Sequence, residues 1–331
     1  MSLRKNAQHP APEHSLLRYR LIRPGDLPAL IELSKESPYS YGLTRDSERL
    51  LRVLPSLIAE QVVNGVVVEE SLDRAPQQKF AIGAFGLTAF LEPHWLDTWL
   101  ADPPQDLASA VVELEAKGER PLLRVRDIAR ENALGQLNLL FLAYGAPEGD
   151  PTNAKVRKLI GLSQEAFRFS HAGYACSRAL HPVIGGSGGI GSLLAMGFRP
   201  VGAGSEIMVH DLTDTDRVPF HPLVMLRRTD PPILGFTPAE QSTLARALLG
   251  STDAEIAHEL AVSVETIRKR WRAIFERVSD RELLADPALA DAPLIRLSRG
   301  PEKRRLVLQY LATHLEELRP YARPRDAHLP K

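Results

Sequence analysis

The sequence predicts a mixed α/β domain followed by a shorter all-helical segment. Over roughly the first two thirds of the chain, short apolar runs typical of strands alternate with amphipathic stretches typical of helices. From residue 236 onward only helical patterns occur. The length of 331 residues also exceeds the usual size of one domain. We therefore expect two domains of different class.

The boundaries follow from changes in composition. Residues 1–15 are polar and contain prolines, which predicts a disordered tail. Residues 16–211 carry the mixed α/β pattern, and residues 212–235 are rich in Asp, Thr and Pro, which is typical of a linker. Residues 236–280 form the helical segment. Residues 281–331 form an extension with one predicted helix at about 301–318.

Composition excludes several classes of protein. The formal net charge is zero, so any nucleic-acid contact must come from a local basic surface. Cys176 is the only cysteine, which excludes an internal disulfide and a multi-cysteine zinc site and suits a reducing cytoplasm. The histidines show no metal-binding spacing, and we expect neither metal nor cofactor. No apolar run predicts a signal peptide or a membrane span, so we expect a cytoplasmic protein without a membrane partner.

Periodicity places the main elements of the first domain. Alternation from Leu17 to Leu21 predicts a strand, and Asn64-Gly65 between valine pairs predicts a hairpin turn. Further strands are expected at Phe80–Leu91, Leu137–Tyr144, Cys176–Ile184 and Ser205–Asp211, with helices at Asp46–Gln61, Trp95–Gly118 (broken by Pro103-Pro104), Ala154–Tyr174 and Ile190–Met196.

Three helix starts follow one another within the C-terminal segment. Thr237-Pro238-Ala239-Glu240 and Thr252-Asp253-Ala254-Glu255 are capping boxes, and Ser263 is a candidate N-cap for a third helix. Only Ala261-Val262 separates the second helix from that N-cap. Two helices with so short a connection must cross steeply, which predicts a helix-turn-helix.

The third helix separates apolar from charged side chains. Ile267, Trp271, Ile274 and Val278 recur on one face, whereas basic residues occupy the other face. A basic helix face fits the major groove, where arginine reads guanine and both arginine and lysine bind phosphate. The predicted DNA-contacting residues are Ser263, Glu265, Thr266, Arg268, Lys269, Arg270 and Arg272.

This segment resembles the DNA-binding domain of LuxR-type (GerE-like) regulators. The matching residues are Thr237, Pro238, Glu240, Gly250, Thr252, Asp253, Glu255, Ile256, Ala257, Ser263, Thr266, Ile267 and Arg268. The resemblance implies a transcription regulator whose third helix enters the major groove of double-stranded DNA, usually as a homodimer. The sequence departs from the pattern at Trp271, where the family carries a smaller apolar residue, and at Arg268, where lysine is usual.

The first domain resembles the GNAT acyltransferase fold in its element order, in Tyr19–Pro24 and in Gly197–Pro200. That family binds the cofactor pyrophosphate on a glycine-rich loop after the fourth strand. Here Ala146–Pro151 is acidic and contains prolines, which argues against acetyl transfer. Gly185–Gly189 matches a nucleophile elbow, but the further strands and the later histidine of a hydrolase are missing. We expect no catalytic residues; an acyltransferase fused to a DNA-binding module is the alternative.

Two further sets of residues have open interpretations. Phe90, Trp95, Phe141 and Tyr144 lie near the best strands and predict either core positions or a pocket for a small-molecule effector. Without an effector, the first domain would be an assembly module. In the extension, Leu308, Leu311, Leu315 and Leu318 recur at helical spacing. They predict either a dimer contact or packing onto the chain's own helices.

Overall fold

A computed structural model describes residues 16–36, 40–71, 80–146, 152–183, 187–213, 221, 223–227, 230–282 and 300–322. The fold is mixed α/β, as predicted from the order of the elements. The predicted tail at residues 1–15 lies outside the described residues.

Within the described residues, seven strands form one mixed sheet in the order β1-β2-β3-β4-β5-β7-β6. Every neighbouring pair is antiparallel except β4 and β5, which are parallel. Helix α6 (Ala154–His171) connects these two parallel strands, which need a crossover connection of this length. The strands are β1 (Leu17–Leu21), β2 (Val63–Ser71), β3 (Phe80–Leu91), β4 (Leu137–Gly145), β5 (Cys176–Pro182), β6 (Arg199–Pro200) and β7 (Ile207–Asp211).

The helices of the described residues fall into two groups along the chain. Those associated with the sheet are α1 (Leu27–Glu36), α2 (Ser47–Ala59), α3 (Pro93–Ala101), α4 (Leu107–Lys117), α5 (Val125–Leu134), α6 (Ala154–His171) and α7 (Ser187–Ala195). Those of the C-terminal part are α8 (Pro238–Leu248), α9 (Asp253–Glu259), α10 (Val264–Glu282) and α11 (Pro301–Thr313).

Both faces of the central strand β4 are buried. Leu140 and Leu142 belong to a core with α1, α2 and α4, whereas Leu137 and Leu139 belong to a second core around Phe90. Because successive side chains of a strand point to opposite faces, these two cores lie on opposite sides of the sheet. A strand covered on both faces reads as a continuous apolar run, and for this reason β4 was easy to predict.

The C-terminal helices surround a third core. Ile256, Ile267 and Leu311 are the centre of that core, each fully or almost fully buried. Phe169 of α6 belongs to the same core, and Tyr19 and Leu21 of β1 pack against its edge. The helical region (236–282 and 300–318) therefore shares apolar contacts with the sheet region (16–213).

One local prediction was wrong, and one helix was missed. Asn64-Gly65 is not a hairpin turn but lies inside continuous β2, where Asn64 and Gly65 pair with Thr88 and Leu87 of β3. A Cβ atom at Gly65 would come within 2.6 Å of the Leu87 side chain, so close packing accounts for this glycine. Helix α5 (Val125–Leu134) was not predicted, because Arg124 at its N-cap position makes no capping hydrogen bond and gives no start signal.

The segment predicted as a linker is packed where the structure describes it. Leu223 and Leu226 are buried in the core around Phe90, and Leu234 is buried in the core of the helical region. Leu212, also in the core around Phe90, and Leu234 thus attach the two ends of this segment to folded parts.

Candidate nucleic-acid interface

Helices α9 and α10 are joined by residues 260–263. The Thr252 side chain accepts a hydrogen bond from Glu255 N, and the Glu255 carboxylate accepts one from Thr252 N, so α9 begins with a complete capping box. Ala261 has a φ of 51°, the left-handed conformation that lets the chain turn sharply. Ser263 then caps α10 by accepting from Thr266 N at 3.1 Å.

One face of α10 is core. Ile267 and Ile274 have no exposed surface, and Trp271 and Val278 are 5% and 3% exposed. These four positions recur at helical spacing, so their burial fixes the rotation of α10 about its axis. Every side chain on the opposite face must consequently point away from the core.

That opposite face is cationic and exposed. Arg268 and Arg272 each have 66% of the side chain exposed, and both lie beside Glu265. The Arg272 Nη2–Glu265 Oε1 distance is 2.8 Å and the Arg268 Nη1–Glu265 Oε2 distance is 3.6 Å. Lys269 is also exposed. In the first turns of α10, Arg268, Lys269 and Arg272 outnumber Glu265, which leaves an excess of positive charge on this part of the face.

Arg270 differs from the prediction. It is only partly exposed, and its Nη1 donates to Thr243 Oγ1 of α8 at 3.2 Å. The guanidinium therefore helps to attach α10 to α8 and does not extend the outward basic face. Ser263 and Thr266 are bonded to each other at 2.9 Å between their hydroxyl oxygens, in keeping with a capping role at the exposed start of α10.

Two side chains outside α10 contact the indole ring of Trp271. Its Nε1 donates to Asp253 Oδ1 at 3.2 Å, and the guanidinium of Arg304 lies 4.3 Å from the centre of its ring. Arg304 Nη1 also donates to Asp253 Oδ1 at 2.8 Å. Helix α11 thus supports the start of α9 and the middle of α10 together. No sequence pattern predicts this role of Arg304, because its partners lie on two other helices.

The leucines of the extension pack within the chain. Leu311, Leu315 and Leu318 are 0%, 5% and 5% exposed in the core of the helical region, and Leu308 packs against that core. This burial favours packing onto the chain's own helices over the dimer contact. A homodimer would have to use another surface.

The residues after α11 form a strap, Leu315–Ala322, that joins the two regions. Glu317 is fully buried and accepts hydrogen bonds from Ile233 N and Leu234 N, just before α8. Arg319 points the other way and donates to the carbonyls of Phe169 and Ala172 at the end of α6. Burial raises the pKa of Glu317 and lowers that of Arg319.

Other contacts tie the regions together beside the strap. Arg23 pairs with Glu259 of α9, and Gln61 Nε2 donates to Ser242 Oγ of α8 at 2.6 Å. Gly173 has a φ of 94°, and a Cβ atom there would lie 2.5 Å from Glu316 Cα. The turn after α6 must therefore be glycine for the strap to lie against it.

The four aromatic residues of the predicted pocket do not converge. Phe90 is buried against Tyr174, with ring centres 4.7 Å apart, whereas Trp95 packs against the core of α1, α2 and α4. Phe141 stacks on Phe167 at 5.6 Å, and Tyr144 stacks on Tyr41 at 6.2 Å. The core interpretation of these residues is the one that their surroundings favour.

The edge of β4 beyond its pairing with β5 is already occupied. The two strands pair only from Leu137 to Leu140, and further along Tyr41 and Tyr144 exchange backbone hydrogen bonds of 3.0 and 3.2 Å. The Tyr41 hydroxyl lies 3.2 Å from His181 Nε2, and burial lowers the pKa of His181 to about 4. This neutral imidazole and the tyrosine close the gap between the strands. Residues 147–151 and 184–186, from the two loops considered in the sequence, lie outside the described residues.

Comparison with known proteins identifies no relative of this chain. No family model matches the chain, and no curated protein or solved structure matches it. Within the described parts of the chain, no helix is long and apolar enough to cross a membrane. The same parts hold no group of three or more His, Cys, Asp or Glu side chains arranged to bind a metal ion.

Proposed function

We propose that this chain is a sequence-specific transcription regulator that binds double-stranded DNA with α10. The observation that carries the proposal is the division of α10 into a buried apolar face and an exposed cationic face, after a four-residue connection from α9. A major groove admits one helix, and a helix fixed by its apolar face presents its charges in a defined register.

The ion pairs on the outer face suit exchange with DNA. Arg268, Arg272 and Glu265 are each at least half exposed, and pairs so exposed contribute little to stability. Phosphate oxygens can replace the carboxylate of Glu265 at small cost, and counterions leave the DNA as they do so. We assign base reading to Arg268 or Lys269, in the first turns of α10, and phosphate binding to Arg272.

The sheet region serves ligand sensing or assembly in this proposal. Acyl transfer is the rival, supported by a strand order with one parallel pair near the middle of the sheet and by the resemblance in element order. Against it, Tyr41 covers the part of β4 that splays from β5, so an extended cofactor finds no free strand edge there. Stoichiometric binding of acetyl-CoA in a titration would reverse this preference.

The test of DNA binding begins with selection of bound sites from random double-stranded DNA. Arg268→Ala, Lys269→Ala and Arg272→Ala are then compared on selected and scrambled DNA at several salt concentrations. Loss of a phosphate contact weakens binding to both DNAs and reduces the salt slope by about one. Loss of a base contact costs about 1–3 kcal/mol at one position of the site and relaxes specificity there.

The matched control is Arg130→Ala, since Arg130 is similarly exposed (61% of the side chain) but lies on α5. It should bind both DNAs as the unmodified protein does. If the three α10 variants also behave as the unmodified protein, α10 does not contact DNA and the proposal is wrong.

A further inference from the structure

A cleft of about 110 Å³ lies between the sheet region and the helical region. Ile58, Gln61 and Val63 line it on the sheet side, and Gln241, Ser242 and Ala245 of α8 line it on the helical side. A cavity of about 150 Å³ accommodates benzene, so this space suits a molecule of a few heavy atoms. Clefts between domains, apolar with a few polar groups, are common sites for small ligands.

The charged residues that line the cleft are all cationic. Its lining includes Arg246 and Arg319 but no Asp or Glu. Arg246 Nε donates to Glu259 Oε2 at 3.0 Å, but the same carboxylate also pairs with Arg23. One anion thus serves two guanidiniums, which leaves positive charge at this end of the cleft.

Arg319 adds a buried cation. It is 7% exposed, and its guanidinium bonds to the carbonyls of Phe169 and Ala172 and lies 5.0 Å from the centre of the Tyr174 ring. Among the described residues, Glu316 is the carboxylate whose charge acts on this guanidinium, and the two side chains do not form an ion pair. The carbonyls at the end of α6 offset part of the charge through the helix dipole. Buried cations are usually matched by an anion, so an anionic ligand fits here.

We propose that this cleft binds a small organic anion, with a carboxylate or phosphate group at the arginine side chains and a short apolar body against Ile58, Val63 and Ala245. The hydroxyl of Ser242 accepts from Gln61 Nε2 at 2.6 Å and lies in the same lining, so its own proton can be donated to the ligand. The ligand is the effector of the proposed regulator, and this role rests on the proposed function.

The route from the cleft to the DNA-binding face is short. Gln241, Ser242 and Ala245 line the cleft, while Thr243 of the same helix receives the hydrogen bond from Arg270 of α10. Arg246 connects the cleft to Glu259 of α9. An anion that competes with Glu259 for Arg246 weakens the attachment of α9 to α8. DNA affinity then changes by the factor by which the anion binds one position of α9 more tightly than the other.

The experiment uses the full chain at constant ionic strength, with sodium propionate, inorganic phosphate and neutral propionamide as probes. Binding of propionate or phosphate should give a saturable rise in melting temperature and a calorimetric titration curve, and propionamide should give neither. Propionate alone identifies a carboxylate ligand and phosphate alone a phosphate ligand. Equal responses to all three probes, or no response to any, overturn the proposal.

Two variants locate the site. Ala245→Leu fills the cleft and Arg246→Gln removes one cation, and each should weaken anion binding at least about tenfold while circular dichroism shows a folded chain. Arg130→Gln, which removes an exposed cation of α5, should bind as the unmodified protein does. If anion binding survives Ala245→Leu and Arg246→Gln unchanged, the site is elsewhere and the proposal is wrong.

A DNA-binding assay on the same protein distinguishes failure of the anion site from failure of the proposed DNA-binding function. If the chain binds selected DNA but none of the three probes, the anion-site proposal is wrong and the proposed DNA-binding function is retained. If the anion binds at the cleft but the chain binds no DNA, the site stands and its role as an effector site fails.

Discussion

The outer face of α10 and the joint between the two regions both carry arginines, but in opposite surroundings. On α10, Arg268 and Arg272 are two-thirds exposed and share Glu265. At the joint, Arg319 is buried and bonded to backbone carbonyls. Solvent screens the charges of Arg268 and Arg272, so these side chains can change partners at small cost. Loss of the Arg319 side chain would leave the buried carbonyl oxygens of Phe169 and Ala172 without a hydrogen-bond donor.

This difference assigns different tasks to the same kind of side chain. An arginine that must meet a phosphate has to be exposed and only weakly held within the protein. An arginine that must fix one region against another has to be buried and hydrogen-bonded to groups of both regions. Substitutions at the two places should therefore separate stability from DNA affinity.

The largest effect is expected at the strap. Arg319→Met keeps much of the side-chain volume but removes the donors to the Phe169 and Ala172 carbonyls. We expect a loss of about 2–4 kcal/mol in the free energy of unfolding by urea. Arg268→Met, at an exposed position, should change that free energy by less than about 0.5 kcal/mol. Similar losses from both substitutions would contradict the contrast between the two places.

A second substitution tests the close approach of the strap. Gly173→Ala adds the strain of a positive φ and a contact 2.5 Å from Glu316 Cα, whereas Gly118→Ala, at a φ of 80°, meets nothing within 4 Å. The control should cost about 1 kcal/mol, the usual penalty of the left-handed conformation. Gly173→Ala should cost at least about 1 kcal/mol more, because the strap must also move. Equal melting temperatures for the two variants would show that the strap does not lie against this turn.

The smallest effect is expected at Glu265. Glu265→Gln removes the carboxylate between Arg268 and Arg272 and leaves the buried face of α10 unchanged. Affinity for any DNA should rise by less than about 1 kcal/mol, with thermal stability almost unaltered. Glu32→Gln, at an exposed position of α1, is the control and should leave DNA affinity unchanged. Weaker DNA binding by Glu265→Gln would mean that the carboxylate itself takes part in recognition.

Helix starts were predictable because their signals are local. The capping boxes at Thr237 and Thr252 need only side chains three residues apart, and the structure forms both. The apolar stripe of α10 was predictable for the same reason, since one helix contains all four residues. Buried β4 was evident from its continuous apolar run.

Predictions from the sequence were wrong where a contact with a residue distant in the chain determined the local structure. Asn64-Gly65 has the composition of a turn, but pairing with β3 and the packing of Leu87 hold it in a strand. Arg270 has the helical position of a surface residue, yet Thr243 of α8 draws it inward. In both cases a tertiary contact outweighed a local preference that is worth only about 1 kcal/mol.

The sequence by itself determined the mixed α/β class, the positions of most helices and the buried and charged faces of α10, because these depend on spacing within one element. Only the tertiary structure decided that the leucines of the extension are internal and that Arg304 supports Trp271. It also decided that Glu317 and Arg319 fasten the helical region to the sheet region and that a cationic cleft lies between them. Arg319 and Phe169, for example, are 150 positions apart in the chain, and no local pattern records such a pairing.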